Sequence, residues 1–175
     1  MSIEKLSAEK IATITSDANR ERGWRNNERR NFTDFTAVKS IENANLQGAE
    51  LNYSDFSGIS FKNVDFSRAE LRYANFEGCS FENCRFENDD GEFTQFKGAK
   101  FKKCILEGEW IFANFAESEF TECAFRSADL LYANMQNAVF TECEAMNVNY
   151  LDMAKLPNAL GGLKYDEDRF PTLKK

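Results

Sequence analysis

A chain of 175 residues is long enough for one domain with short terminal additions. It contains 17 phenylalanines but no histidine, which excludes catalysis by serine–histidine or cysteine–histidine pairs and removes the commonest metal ligand. The net charge of −7 is concentrated in residues 31–156, where 21 acidic residues outnumber 11 basic ones, so we expect no direct nucleic-acid binding.

Residues 1–30 predict an N-terminal helical cap and a basic neck. Ser7 can cap a helix over residues 7–22, and Trp24 and Phe32 are expected to cover the first coil of the following domain. The apolar stripe of this helix would be Ile3, Leu6, Ile11, Ile14 and Ala18. The first residues lack an apolar signal region and no apolar run is long enough to span a bilayer, so we expect a cytoplasmic protein without a membrane segment.

From Ile41 to Tyr150 the sequence repeats every five residues: a small residue, a polar one, a Leu or Phe, then two more polar residues. On an α-helix this period advances about 140° per repeat, and on a strand successive repeats point to opposite faces. The apolar residues can therefore share one interior only if the chain turns a corner within every repeat. This predicts a solenoid, in which neighbouring coils bury what no single repeat can bury.

Each repeat is predicted to point two side chains inward: its large central residue, of which Tyr150 is the last, and the small residue two positions earlier. Burying each central Phe contributes roughly 1.5–3 kcal/mol before entropy is counted. This packing accounts for the phenylalanines without an aromatic ligand groove. The predicted core includes Phe61, Phe66, Phe76, Phe81, Phe86, Phe96, Phe101, Phe115, Phe120, Phe125, Phe140, Cys84, Cys104, Cys123 and Cys143.

The pattern resembles the A(D/N)Lxx motif of the pentapeptide-repeat family over some two-thirds of the chain. In that family four repeats form one coil of a right-handed quadrilateral β-helix. The resemblance therefore implies an all-β solenoid of this kind over residues 31–156, in which equivalent positions of successive coils stack in columns. One such column would be Ile41, Phe61, Phe81, Phe101, Phe120 and Phe140, with one residue lost after Phe101.

All five cysteines occupy the small inward position, and four of them, Cys84, Cys104, Cys123 and Cys143, fall in one column. The coil spacing should approach the strand spacing of about 4.8 Å, but parallel side chains hold the Cβ atoms too far apart for a relaxed disulfide. The fifth, Cys79, lies on another face and gives no zinc-binding spacing. We expect buried, reduced thiols and no metal site.

The repeat breaks at residues 87–92, where Gly91 stands at a predicted centre, and again one coil later at residues 107–111, where a residue is lost. Because Gly91 leaves a hole, we expect Trp110 to pack toward it. The acidic residues around the break should then form an outward ridge: Glu87, Asp89, Asp90, Glu92, Glu107 and Glu109.

This ridge has three interpretations. It is a partner-docking site that includes Trp110, a tolerated β-bulge surrounded by solvated acids, or an oxygen-ligand site for Ca²⁺ or Mg²⁺. The chain contains no D-x-D-x-D-G loop that would support the metal interpretation.

Residues 157–175 are predicted to be a C-terminal cap or tail. The apolar residues before and within it suggest a short helix or turn: Leu151, Met153, Leu156, Leu160 and Leu163. Because a dimer contact is the competing interpretation of such a segment, we expect either a monomer or a homodimer joined at the C-terminus.

The sequence contains no catalytic constellation, so we expect a non-enzymatic interaction module without a cofactor: a rigid acidic rod that docks a protein partner. The resemblance implies a more specific alternative. Some family members resemble duplex DNA, bind DNA gyrase or topoisomerase IV, and protect these type II topoisomerases from quinolones or toxins. The Cys-x-Phe triplets at residues 79–81, 84–86 and 123–125 are similar to those of that subgroup, and the break at 87–92 is similar to its projecting loops.

Two observations bear on that alternative. Outward lysines at positions 97, 100, 102 and 103 dilute the negative surface, and the dimerising C-terminal helix of the subgroup is not evident. A third possibility is a secreted bacterial effector or a subunit of a larger assembly.

Overall fold

The five-residue repeat winds the chain into an all-β solenoid in a computed structural model that describes residues 38–157 and 160–173. The predicted N-terminal cap and neck at residues 1–30, with Ser7 and Trp24, and the predicted position of Phe32 lie outside the described residues. Within the described part, no helix has the length and hydropathy needed to cross a bilayer.

Over residues 38–157 and 160–173, the regular elements are short strands and two single-turn 3-10 helices. The 3-10 helices are Leu151–Met153 and Pro171–Leu173. The strands are β1 (Ser40–Glu42), β2 (Ser60–Lys62), β3 (Ser80–Glu82), β4 (Arg85–Asp90), β5 (Lys100–Lys102), β6 (Ile105–Glu109), β7 (Glu119–Thr121), β8 (Ala124–Arg126), β9 (Val139–Thr141), β10 (Cys143–Met146) and β11 (Leu163–Tyr165).

Four parallel ladders run along the solenoid. One is a six-stranded sheet in the order β1-β2-β3-β5-β7-β9, and another is a five-stranded sheet in the order β11-β10-β8-β6-β4. Bridges form two further ladders, for example from Glu50 to Glu70 and from Asp55 to Asn75. Each coil therefore has four sides, as the resemblance implies, and Phe61 pairs with Phe81 one turn of the solenoid later.

The chain turns its corners at the second residue after each centre. At these positions the backbone is left-handed, with φ of 64° at Gly48, 73° at Gly58 and 53° at Asn43. The carbonyl of the preceding centre accepts a hydrogen bond from the N–H three residues on, as Leu46 does from Ala49 at 3.1 Å. A positive φ at the third residue of such a turn favours glycine and asparagine. The period of five is thus one straight step plus one corner.

Stacked phenylalanine rings fill the interior. Phe81 stacks on Phe61 at a centroid distance of 5.0 Å and on Phe101 at 4.8 Å, while Phe86 in the next column meets it edge-to-face at 5.4 Å. Each of the phenylalanines and cysteines of the predicted core is buried. The smaller inward residues are polar at some coils and donate hydrogen bonds to a neighbouring coil, as Thr94 does to the Leu71 carbonyl at 2.9 Å.

All five cysteines are buried, which confirms the prediction that their side chains point inward, and none is paired in a disulfide. Cys79 donates a hydrogen bond through Sγ to the Phe56 carbonyl at 3.0 Å. Burial raises the pKa of the Cys79 thiol to about 12. For Cys104, the hydrogen bond to Cys123 lowers the pKa, but the bond to Cys84 and burial outweigh it and raise the pKa to about 12.

The last predicted centre is wrong. Tyr150 is 47% exposed, and Leu151 is buried in its place. Asn149 still pairs with Asp129 at the regular coil spacing, but the pairing of Lys155 with Asn134 spans one residue more. The additional residue is accommodated by a left-handed Tyr150 (φ 56°) followed by the 3-10 helix, and this rotates Leu151 inward.

Beyond residue 156 the structure adds one more parallel strand. Strand β11 pairs with β10, with Leu163 beside Cys143. Leu163 and Phe170 are buried against the last coil, and the Tyr165 hydroxyl donates a hydrogen bond to the Leu173 carbonyl at 3.0 Å. Of the apolar residues that suggested a short helix or turn, Leu151 and Leu163 are buried and Leu156 and Leu160 partly buried at this end of the solenoid, whereas Met153 is exposed.

Candidate docking surface

At the break in the repeat, Trp110 lies directly against Gly91. Trp110 is fully buried, and a Cβ atom built on Gly91 would overlap its six-membered ring. The indole also meets Phe86, Phe96 and Phe115 edge-to-face at 5.9, 5.8 and 6.0 Å. The prediction that Trp110 fills the space at Gly91 is confirmed. Because the indole has no exposed surface, it cannot contact a partner, which corrects its place in the predicted docking set.

The lost residue falls within β6. Phe86 pairs with Leu106 and Asp89 pairs with Gly108, so two residues on β4 face one residue on β6. This register shift is a β-bulge, and Gly108 has a φ of 125°. The sequence offered a β-bulge as one interpretation of the break, and the bulge is present. It brings Trp110 one residue earlier than the regular spacing would.

Two arginines, neither of them part of the predicted ridge, neutralise several of its acids. Arg72 Nε lies 2.6 Å from Asp90 Oδ2, and its guanidinium reaches Glu92 Oε2 at 3.4 Å. Arg85 lies 2.6 Å from Glu87 Oε1. The hydrogen bond to Asp90 raises the pKa of Arg72, and the hydrogen bond to Glu87 raises that of Arg85. These pairs are partly exposed, so each contributes little to stability.

The remaining ridge residues lie on the two coils of the break. Glu109 is exposed and Glu107 is half-buried on β6, while the side chain of Asp89 lies outside the described residues. Asp90 Oδ1 and Trp110 Nε1 are buried without a hydrogen-bond partner among the described residues. The structure therefore brings Glu87, Asp90, Glu92, Glu107 and Glu109 to the two coils that contain Gly91 and Trp110.

The ridge is part of a longer line of acids that sequence reasoning missed. We name it the carboxylate ladder. Its consecutive members are paired across neighbouring coils. The carboxylate ladder consists of Glu50, Glu70, Asp90, Glu109 and Asp129. One carboxylate thus stands on each of five successive coils, and this recurrence at the coil spacing, shortened once by the lost residue, is visible in the sequence.

A second line on the same side of the solenoid is aromatic, and sequence reasoning missed it as well. Its rings stack with centroid distances of 5.0, 4.9, 5.1 and 5.2 Å along the coils. This aromatic ladder consists of Tyr53, Tyr73, Phe93, Phe112 and Tyr132. Each member is the second residue after a centre, where the backbone is left-handed, so the rings stand at a corner and point outward. Tyr73, Phe112 and Tyr132 are 42%, 47% and 52% exposed.

Other sides of the solenoid carry ion pairs between coils. Lys62 lies 3.0 Å from Glu82, and Lys100 lies 3.1 Å from Glu119. The pairs Lys97–Glu117 and Lys103–Glu122 span 3.5 and 3.6 Å. These four lysines therefore neutralise acids of adjacent coils.

The described residues offer no group of three or more potential ligands placed to hold a metal ion. A cavity of about 460 Å³ lies beside β10 and β11, lined by Glu142, Cys143, Glu144, Gly162, Leu163 and Lys164. It is an open depression at the end of the solenoid.

Comparison with known proteins gives one family and several distant structures. Similar solved structures include a trypsin-treated variant of QnrB1, described as a plasmid-mediated fluoroquinolone resistance protein (20% identity, covering 81% of this chain and 87% of that one, TM-score 0.39). HetL of Nostoc sp. strain PCC 7120 has 22% identity, covering 92% and 78%, with a TM-score of 0.38. A thylakoid-lumen protein of Arabidopsis thaliana has 21% identity, covering 74% and 92%, also with a TM-score of 0.38.

These structural likenesses are too distant to carry an argument about function. No curated protein matches the sequence significantly. The family model for pentapeptide repeats matches eight copies, over residues 40–72, 49–88, 69–108 and 111–144. These matches cover more than half of the chain and coincide with the coils described above, so the protein belongs to the pentapeptide-repeat family.

Proposed function

We propose that the protein is a non-enzymatic interaction module, a rigid acidic rod that docks a protein partner. The carboxylate ladder is the observation that carries this proposal. Its backbone is held from coil to coil, since the Glu70 N–H donates to the Ala49 carbonyl at 3.0 Å and the Leu71 N–H donates to the Asp90 carbonyl at 2.8 Å. A line of charge on such a backbone presents a preorganised surface to a basic partner.

The state of the interior supports a role without catalysis. The phenylalanine columns fill the solenoid, and burial raises the pKa of the Cys79 thiol to about 12, far from the value a nucleophilic cysteine needs at neutral pH. We include a cytoplasmic location in the proposal, since five free cysteines suit a reducing compartment.

The proposal is tested by capturing partners with the full chain and with two charge variants. In the first variant, Glu70→Gln and Glu109→Gln remove two exposed members of the carboxylate ladder. In the matched control, Glu77→Gln and Glu142→Gln remove the same charge from exposed positions on other sides. We expect the ladder variant to weaken capture about tenfold and the control to leave it unchanged. Equal capture by both variants, or no partner retained after a salt wash, would contradict the proposal.

A second candidate is a DNA mimic that binds DNA gyrase or topoisomerase IV. The charge distribution favours it: residues 31–156 have a net charge of −10, and the carboxylate ladder places negative charges in a regular row. A row with one charge per coil of about 5 Å is of the same order as the phosphate spacing along a DNA strand, about 3.4 Å per residue.

A gyrase supercoiling assay distinguishes the two candidates. If the protein is a DNA mimic, the full chain should restore supercoiling in the presence of a quinolone, and the Glu70→Gln, Glu109→Gln variant should restore less than the Glu77→Gln, Glu142→Gln control. If the full chain does not alter quinolone inhibition and does not bind gyrase or topoisomerase IV, the second candidate is excluded and the first is unaffected.

A further inference from the structure

The carboxylate ladder and the aromatic ladder border the same side of the solenoid. Within each coil they are three residues apart, as Glu109 and Phe112 are, and the chain turns its corner at the aromatic residue, so the two rows are closer than the 10 Å, roughly, that three extended residues span. The outward residues between them are Asn52, Arg72, Glu92, Ile111 and Leu131. We name this side, with both ladders and the row between them, the two-ladder face. An α-helix, about 10 Å in diameter, is therefore wide enough to contact both ladders at once.

Apolar surface is concentrated on this face. Among the described residues, seven large hydrophobic side chains are exposed, and three of them (Tyr73, Phe112 and Tyr132) belong to the aromatic ladder. Two more, Tyr150 and Met153, lie on the segment that stacks on the coil of Tyr132. Ile111 and Leu131 are half-buried beside Phe112 and Tyr132, so the apolar surface is widest toward the C-terminal coils.

The charges of the face favour a basic partner at the same end. Arg72 neutralises Asp90 and Glu92 near the middle of the face. Within the described part of the chain, neither Glu109 nor Asp129 forms an ion pair closer than 4 Å, although Arg72 attracts Glu109 at longer range and the Leu131 N–H donates a hydrogen bond to Asp129 at 3.0 Å. A partner whose apolar side chains pack on the rings can therefore pair its basic side chains with Glu109 and Asp129.

The stacking of the rings determines where the basic and the apolar groups of a partner bind. In the first three steps the interplanar angles are 9°, 2° and 5°, so each ring covers the face of the next and only the ring edges point outward. A cation binds the face of an aromatic ring, and neighbouring rings occupy both faces of Tyr73 and Phe93 and one face of Phe112, whereas Tyr132 is tilted by 30° against Phe112. The basic groups of an occupant are therefore directed to the carboxylates and its apolar groups to the ring edges.

The spacing of the rings along the aromatic ladder favours an α-helix over a strand or a polyproline helix. The rings are 4.9 to 5.2 Å apart, and one turn of an α-helix rises about 5.4 Å, so four turns drift from four coils by only about 1.5 Å. The side chains on one face of a strand repeat every 6.7 Å, roughly, and drift by more than a whole coil over four repeats. A polyproline helix, with about 9.3 Å per turn, meets only every second ring.

We propose that the two-ladder face binds an amphipathic basic α-helix of the partner protein, lying parallel to the solenoid axis. Its apolar stripe packs on the aromatic ladder with Ile111 and Leu131, and its lysines or arginines pair with Glu109 and Asp129. This inference rests on the proposed function and specifies the partner element that the acidic rod docks.

The probe for this proposal is a synthetic peptide of about 15 residues, four helical turns, with leucines on one stripe and lysines and arginines beside it. A peptide of this length is marginally helical alone, so binding should increase its helicity in circular dichroism. A scrambled peptide of the same composition, which has the charge without the stripe, should bind the full chain at least about tenfold more weakly. Equal affinity of both peptides, or binding without a gain in helicity, would overturn the proposal.

Two variants of the full chain test the face itself. Phe112→Ser with Tyr132→Ser removes exposed rings, and its control, Val139→Ser with Met146→Ser, removes exposed apolar side chains (55% and 51% exposed) from other sides. Glu109→Gln with Asp129→Asn removes charge while the introduced amide keeps an oxygen that can accept from Leu131, and Glu77→Gln with Glu142→Gln is the charge control. We expect each face variant to bind the amphipathic peptide about tenfold more weakly than the unaltered protein, and each control to bind it with unchanged affinity.

The outcomes separate this inference from the proposed function. If a captured partner is lost in the charge variants of the carboxylate ladder but kept by Phe112→Ser with Tyr132→Ser, the proposed function stands and the helix-binding face is wrong. If no partner is captured yet the peptide binds with the expected selectivity, the inference about the face stands alone. If sedimentation shows self-association that Phe112→Ser abolishes, the occupant is a second copy of the chain and the proposal is wrong.

Discussion

Position 91 shows how one missing side chain is compensated by a neighbouring coil. The Trp110 ring occupies the space where a Cβ atom of residue 91 would lie. We expect Gly91→Ala to destabilise the protein by about 1–3 kcal/mol, because the core has no room for another methyl group beside the indole. Urea unfolding followed by circular dichroism measures this change.

Gly161 provides the matched control, since a Cβ atom built there meets nothing within 4 Å. Gly161→Ala should therefore change the free energy of unfolding by less than about 0.5 kcal/mol. A double variant, Gly91→Leu with Trp110→Leu, restores the ordinary central residue in both coils and should recover part of the stability lost in Gly91→Ala. Equal stability of Gly91→Ala and the unaltered protein would show that Trp110 does not occupy this space.

The buried cysteines predict a loss of stability in alkali. Burial raises the pKa of Cys79 from 9.0 to about 12 in the folded protein. Only the unfolded chain ionises between these values, so the stabilisation is complete below pH 9 and is lost as pH rises toward 12. In Cys79→Ala, the free energy of unfolding should fall less between about pH 8 and about pH 10.5 than in the unaltered protein.

Urea titrations of both proteins at the two pH values measure the difference. Cys104 and Cys123, whose pKa values are also raised to about 12, remain in the variant, so the slope should decrease without vanishing. Identical slopes would mean that Cys79 ionises equally in the folded and unfolded states.

At the scale of single elements, the strands and corners could be predicted because they follow from burial with a fixed period. Phe81 has the same surroundings as Phe61 one coil earlier, so one repeat predicts the next. One repeat no longer predicts the next where a repeat gains or loses a residue. The sequence shows that a residue is added or lost, but the local backbone decides which side chain turns inward, and at the last coil the left-handed Tyr150 turns Leu151 inward.

The candidate surface was less predictable because outward residues are not constrained by the core. Asp90 could be assigned to the break, but its pairing with Arg72 joins two residues that lie 18 positions apart in sequence, on neighbouring coils. The aromatic ladder had a sequence signal, since Tyr53 and Tyr73 are separated by the same coil spacing as the core columns. Recognising it requires that outward columns be compared as closely as inward ones.

The exchanged roles of Tyr150 and Leu151 can be tested directly. Leu151→Ala should cost about 2–5 kcal/mol because it removes a fully buried side chain. Tyr150→Asn should change the free energy of unfolding by less than about 0.5 kcal/mol, since asparagine tolerates the left-handed backbone and the tyrosine is half-exposed. Chemical unfolding measures both, and a larger cost for Tyr150→Asn than for Leu151→Ala would contradict the observed register.

At the scale of the whole molecule, each coil pairs mainly with the coils before and after it. Strand β5 is paired on both sides, with β3 and β7, whereas β11 is paired with β10 alone among the described strands. Stability in such an array is close to a sum of neighbouring interactions, so opening should begin at an end.

Hydrogen exchange of the full chain should reveal this gradient. We expect amides of β11 to exchange at least about tenfold faster than those of β5, because opening the end coil breaks one interface and opening the centre breaks two. Phe170→Ala, which removes a buried side chain from the C-terminal end, should accelerate exchange in β11 and β10 and leave β3 unchanged. Mass spectrometry after proteolysis resolves these segments. Opening from the end exposes only the strands nearest that end. A single exchange rate for β3, β5, β10 and β11 would therefore show that the solenoid opens as one unit and would contradict this prediction.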